Sequence, residues 1–166
     1  MGPGTECSVN GVHMSVSRRS VNSLQMASDT SCAIGYMGAA LSLERCDLTC
    51  EMGAVVYVGG EGTTATISNC CIHDGKDDGV FIGNKAAATL ANNDIHSNTS
   101  SGVRVMDEGS LAVLRGNRIH GGGSFGVDVS VGASATLENN DIHSNARCGV
   151  LVEDAGAWES VCLSAL

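Results

Sequence analysis

Three sets of residues that recur every 23 or 24 positions predict an all-β chain: a single-stranded, right-handed parallel β-helix with three short strands per rung and about six rungs. The first set is the dipeptide Ile-His, at Ile72-His73, Ile95-His96, Ile119-His120 and Ile142-His143. The second is an apolar column, Leu43, Ile67, Leu90, Leu114, Leu137 and Val161, which keeps the same beat. The third is a Gly-Val-led segment, at Gly79-Val80-Phe81-Ile82, Gly102-Val103-Arg104-Val105, Gly126-Val127-Asp128-Val129 and Gly149-Val150-Leu151-Val152. Stepping back by 24 from this third set reaches Val56 and Val58, then Cys32 and Ile34, and Gly11-Val12-His13-Met14 reads as a still earlier, shorter turn.

Each unit therefore holds three extended pieces, such as Ala135-Thr136-Leu137, Asn140-Asp141-Ile142 and Val150-Leu151-Val152. Gly, Asn, Ser and Asp bound them, and none is long enough for a helix. Alternation along a strand puts Val150 and Val152 on one face and Leu151 on the other. Equivalent strands of successive units then pair in parallel at about 4.8 Å, stacking like residues into aliphatic ladders, with the right-handed crossover that parallel connections adopt. Asn93, Asn117 and Asn140 share one column, which Cys70 and Cys46 continue, as expected of a stacked amide ladder that serves the turns. Residues 1–29 read as a degenerate N-terminal rung or irregular segment, and 30–166 as the β-helix with its last rung incomplete. The segment from Ala157 to Leu163 reads as a cap or as the start of another rung, and an open solenoid end predicts self-association.

The core of such a coil is built without rings, in keeping with two Phe, two Tyr and one Trp against 22 Gly. A net charge of -9 opposes binding to nucleic acid and to anionic polysaccharides, and leaves proteins and neutral glycans as partners. No stretch approaches the roughly 18 apolar residues of a membrane span, and the first residues lack the basic and apolar regions of a signal peptide. An intracellular setting, cytoplasmic or nuclear, is the expectation. Cys7, Cys32, Cys46, Cys50, Cys70, Cys71, Cys148 and Cys162 form no paired CxxC framework, so they are expected to be reduced thiols used as small apolar residues.

Segments such as Cys71-Ile72-His73-Asp74-Gly75-Lys76 and Glu138-Asn139-Asn140-Asp141-Ile142-His143-Ser144-Asn145 resemble the repeats of the pectate-lyase-like β-helix superfamily. They are most similar to the carbohydrate-binding and sugar-hydrolase-type repeats of F-box-only proteins, over about residues 30 to 161. That resemblance implies a scaffold that presents a substrate or ligand, in the F-box case a protein held for ubiquitylation. Residues 1 to 30 carry no helical Leu-rich pattern of an F-box.

The enzymatic members of the superfamily cluster Asp residues for calcium. Asp77 and Asp78 are the corresponding candidates here, although the next rungs carry Ser100-Ser101, Ser124-Phe125 and Arg147-Cys148 in their place. Asp107, Glu108, Glu153 and Asp154 occupy comparable turns two rungs apart, roughly 10 Å, a spacing that suits two carboxylates flanking a water in an inverting glycosidase. His73, His96, His120 and His143 each follow an inward Ile, so they are expected to project outward as a stripe of imidazoles whose neighbours resist joint protonation. With Arg104 and Asp128, these histidines make up the expected binding surface. No cofactor is expected. The leading functional expectation is a non-enzymatic module that binds a protein or neutral glycan, and the alternative is a polysaccharide lyase, epimerase or glycoside hydrolase.

Overall fold

The computed structural model describes residues 9–17, 33–36, 38, 40–153 and 160–163, with the strands at 9–17, 33–36 and 160–163 known by their backbone pairing. Three strands come first: β1 (Val9–Ser17), β2 (Ala33–Tyr36) and β3 (Ala40–Thr49). Each later rung then supplies a strand of four residues, one of five and one of three. These are β4 (Val56–Gly59), β5 (Thr64–Ser68) and β6 (Cys71–His73), then β7 (Val80–Gly83), β8 (Ala87–Ala91) and β9 (Asp94–His96). The next two rungs are β10 (Val103–Met106), β11 (Leu111–Arg115) and β12 (Arg118–His120), and β13 (Val127–Ser130), β14 (Ser134–Glu138) and β15 (Asp141–His143). The last two strands are β16 (Val150–Glu153) and β17 (Ser160–Leu163).

The predicted parallel coil is present. Its five-residue strands stack as β3-β5-β8-β11-β14, its three-residue strands as β3-β6-β9-β12-β15, and its four-residue strands as β2-β4-β7-β10-β13-β16. Long β3 bends round a corner and so belongs to the first two stacks at once. Ile72, Ile95, Ile119 and Ile142 lie in register, as do Ile67, Leu90, Leu114 and Leu137. All are buried except Leu137 on the last rung, which is partly covered. At about 25 cal/mol per Å² of apolar surface removed from water, these columns supply the main driving force for coiling.

The expected extension of the repeat fails at both ends. β1 runs antiparallel along all of β3, from Val9 opposite Leu48 to Ser17 opposite Ala40, so Gly11-Val12-His13-Met14 is no shorter parallel turn. β17 also runs antiparallel, on β16, with Val161 opposite Val152, which removes Val161 from the apolar column. β2 pairs with β4 in parallel, but Ala33 faces Val56 and Gly35 faces Val58, a step of 23 rather than 24 that puts Ile34 opposite Tyr57. Cys32 lies outside the described residues. Periodicity finds strands, but a single strand beyond the repeat carries no signal of its direction.

Two corners are rigidly specified. Between the five- and three-residue strands lie two residues in every rung, the first of them left-handed: Arg45, Asn69, Asn92, Gly116 and Asn139, with φ from 53° to 63°. The second is the amide column. Asn117 shows the pattern: its Oδ1 accepts the Asn93 backbone N–H (3.0 Å) and side-chain N–H (2.9 Å), and its Nδ2 donates to Leu90 O (2.9 Å) and Asn140 Oδ1 (3.0 Å). Six residues, beginning with left-handed Asp74, Ser97, Gly121 or Ser144, join each three-residue strand to the next rung. The third corner varies, with four residues at 60–63 and 107–110 but three at 84–86 and 131–133, and this alternation accounts for the 24- and 23-residue steps. It includes Val131, an exposed β-branched residue held at φ 55°.

Close approach calls for glycine at the heads of β7, β10 and β13, while Val55 fills the equivalent position ahead of β4. A Cβ on Gly102 would lie 2.8 Å from the Gly126 carbonyl oxygen of the next rung, and one on Gly126 would lie 2.5 Å from that of Gly149.

Candidate functional site

The three-residue strands bury their central Ile and turn their outer residues outward. Two columns result, one of Asp47, Cys71, Asp94, Arg118 and Asp141, the other of Thr49, His73, His96, His120 and His143. The predicted imidazole stripe is thus present. Its rings stack at centroid separations of 5.0, 5.2 and 5.0 Å from His73 to His143, set by the spacing of the strands beneath.

Carboxylates and hydroxyls hold the rings. His73 is gripped from both sides, its Nδ1 2.7 Å from Asp74 Oδ2 and its Nε2 2.8 Å from Asp47 Oδ1. His120 Nε2 lies 3.0 Å from Asp94 Oδ1, while His96 Nδ1 and His143 Nδ1 meet the hydroxyls of Ser97 and Ser144 at 3.1 and 3.0 Å. The two rings at the start of the stripe diverge electrostatically. Burial acts to lower His73, but its two carboxylate partners outweigh it and the pKa is raised. For His96 burial prevails, aided by the charges of His73 and His120 on either side, and the pKa is lowered despite Asp94.

Asp47 was not singled out by the sequence, and Cys71 was read there among the cysteines as a small apolar thiol, yet together they complete the densest cluster on this face. Ligand atoms of Asp47, Cys71 and His73 lie within 4.8 Å of one another, and Cys71 Sγ lies 3.5 Å from His96 Nε2. Burial and the nearby Asp47, Asp94 and Asp74 raise the Cys71 thiol pKa. The signal was faint because this column holds Asp, Cys, Asp, Arg and Asp, with no consensus to mark it.

Arg104 and Asp128 point at each other more than at solvent. Asp128 is buried, and its Oδ2 accepts from Arg104 Nε at 3.1 Å. Arg104 also reaches Asp78 Oδ2 at 3.3 Å and Ser100 Oγ at 3.1 Å. The Asp77-Asp78 pair does not converge on a cation: Asp77 is exposed, whereas Asp78 is fully buried with Arg104 as its positive charge. Burial raises the Asp78 pKa, opposed by Arg104 and by the Ser101 N–H that its Oδ1 accepts.

The acidic turns are likewise occupied or apart. Asp107 Oδ2 accepts the Asn84 N–H at 2.9 Å across the variable corner, and Glu108 lies in the same turn. Glu153 is exposed at the end of β16, and Asp154 lies outside the described residues.

Of the cysteines, Cys46, Cys50 and Cys70 are buried as small apolar residues, and burial pushes the Cys70 thiol up to about 11. Cys148 departs from the expectation of reduced thiols, since it is disulfide-bonded. A second amide ladder also escaped the sequence reading. Asn98 Oδ1 accepts the Gly75 N–H at 2.9 Å, and Asn145 Oδ1 accepts the Gly122 N–H at 3.0 Å. Gly75 and Gly122 interrupt this column and hide its period.

No curated protein and no solved structure matches the chain. The family described as the right-handed β-helix region matches residues 6–161. With its parallel, in-register rungs and nearly full-length match, the chain belongs to the right-handed β-helix family.

Proposed function

We propose that this chain is a non-enzymatic recognition module that binds a protein through the histidine face. The carrying observation is the face itself: four stacked imidazoles, each tied to a carboxylate or hydroxyl neighbour, on a sheet whose underlying Ile ladder is fully buried. Side chains already fixed by packing and hydrogen bonds lose little entropy when a partner docks. The face carries Asp47, Asp74, Asp94 and Asp141 on a chain of net charge -9, so a partner with a basic patch is favoured by long-range steering. The similarity to F-box-only repeats makes a substrate receptor of the ubiquitin-ligase type one form of this role. An intracellular setting fits the free thiols of Cys70 and Cys71, while the bridge at Cys148 weighs against it.

The carbohydrate-active reading is weakened by the engagement of Asp78 and Asp107 in structural contacts. One experiment separates the two. The full chain is screened against arrays of basic peptides and of neutral glycans, alongside an assay for polysaccharide cleavage. Salt-sensitive peptide binding that falls in Asp94→Asn and His120→Ala, but not in Arg115→Ala on the neighbouring face, is the expected result. Polysaccharide turnover, or peptide binding indifferent to the histidine face, overturns the proposal.

A further inference from the structure

We propose that Asp47, Cys71, His73 and His96 form a site for one divalent d-block cation, zinc foremost. Asp47, Cys71 and His73 supply a carboxylate, a thiol and an imidazole whose ligand atoms lie within 4.8 Å of one another. His96, stacked 5.0 Å from His73 with its Nε2 on Cys71 Sγ, has to tilt towards the cluster to become the fourth donor that zinc takes in closed tetrahedral sites. Bonds of about 2.3 Å to sulfur and about 2.05 Å to nitrogen, at the tetrahedral angle, place those two donors about 3.6 Å apart. Cys71 Sγ and His96 Nε2 stand 3.5 Å apart. His73 Nε2 and Asp47 Oδ1 are at hydrogen-bond distance, 2.8 Å, and need to part to about 3.3 Å around a metal. Asp47 is free to do so, because its side chain is 53% exposed.

The outer contacts point the same way. His73 Nδ1 meets Asp74 Oδ2 at 2.7 Å and His96 Nδ1 meets Ser97 Oγ at 3.1 Å, so both rings present Nε2 to the cluster. Metal-binding histidines are held by this kind of second contact, which fixes the tautomer and strengthens the donor atom. The rest of the stripe lacks the set. Where Cys71 stands in its rung, the later rungs have Asp94, Arg118 and Asp141, and the Arg118 guanidinium, 3.8 Å from Asp94, opposes a cation beside His120. A sulfur and two nitrogens select zinc, cobalt or nickel over calcium and magnesium, which prefer oxygen alone.

The site shares Asp47, His73 and His96 with the proposed binding face, but it does not rest on partner binding and its readout needs no partner. Chelator-stripped full-length protein is titrated with cobalt and the cobalt is then displaced by zinc. One equivalent should bind, with a thiolate-to-cobalt charge-transfer band and the intense visible bands of a four-coordinate centre. Cys71→Ser should abolish the charge-transfer band, Cys71→Ser and His96→Ala should each weaken binding by at least about tenfold, and His143→Ala, two rungs away, should change neither. Because the equivalent positions hold Asp and Arg, Cys71→Ser is expected to fold, which circular dichroism checks. No cobalt binding, a charge-transfer band that survives Cys71→Ser, or a loss in His143→Ala equal to that in His96→Ala overturns the site.

Discussion

Replacing Asn117 by Ala tests whether the amide ladder, rather than the aliphatic columns alone, holds the coil in register. Asn117 is only 1% exposed, and its side chain makes four hydrogen bonds to Asn93, Leu90 and Asn140. Truncation leaves the Asn93 backbone N–H and the Leu90 carbonyl without these partners in a buried corner. At about 1–3 kcal/mol for each stranded group, with a small cavity added, the expected loss is about 3–5 kcal/mol. Urea unfolding followed by circular dichroism measures it, with the slope of the transition checked for loss of cooperativity in this repeat array. Asn117→Leu separates the two contributions, because it fills the space and makes none of the bonds. A loss below about 1 kcal/mol for Asn117→Ala, or recovery of stability in Asn117→Leu, would refute the account.

Three further substitutions probe other parts of the coil. Arg104→Met leaves Asp78 and Asp128 buried without their shared cation and should cost about 2–4 kcal/mol at neutral pH, somewhat below the fully buried range because Arg104 is partly exposed. Burial already raises the Asp78 pKa in the fold, so its contribution is greatest below the unfolded value and declines as pH rises through the folded one. Losing Arg104 raises the folded value further, so the deficit against wild type should shrink between about pH 7 and pH 4, and a deficit that grows on acidification would contradict this. Gly102→Ala drives a methyl group against the Gly126 carbonyl and should lose about 1–3 kcal/mol in the same urea assay; a neutral result would show that the rungs separate easily. Val131→Asn should gain about 1 kcal/mol by relieving a β-branched residue of its left-handed backbone, seen as a higher melting temperature, whereas an unchanged melting temperature would place the strain elsewhere.

The fold was legible because identical residues stack. Ile95 lies beside Ile72 and Ile119, and Asn117 beside Asn93 and Asn140, so each contact is between members of one column that the period exposes. The histidine stripe was legible for the same reason. Interactions between unlike residues were not. Arg104 with Asp78 and Asp128, and Cys71 with Asp47 and His96, join positions whose chemistry changes from rung to rung, and only the three-dimensional register reveals them. The terminal strands failed for a third reason. β1 and β17 lie outside the repeat, and an alternating strand reads the same whether it runs with its neighbour or against it.

The corner that alternates between three and four residues gives the scaffold a practical property. Its two fellow corners keep one length in the described rungs, because an added residue would carry an Asn side chain such as Asn117 or Asn98 away from the backbone N–H that it accepts from the neighbouring rung. Here one residue comes and goes between successive rungs while the strands on either side keep their partners. Foreign loops grafted between Gly83 and Ala87, or between Ser130 and Ser134, would project two rungs apart from the same edge while the strands that carry them keep their partners, making this edge a natural place to write new specificities.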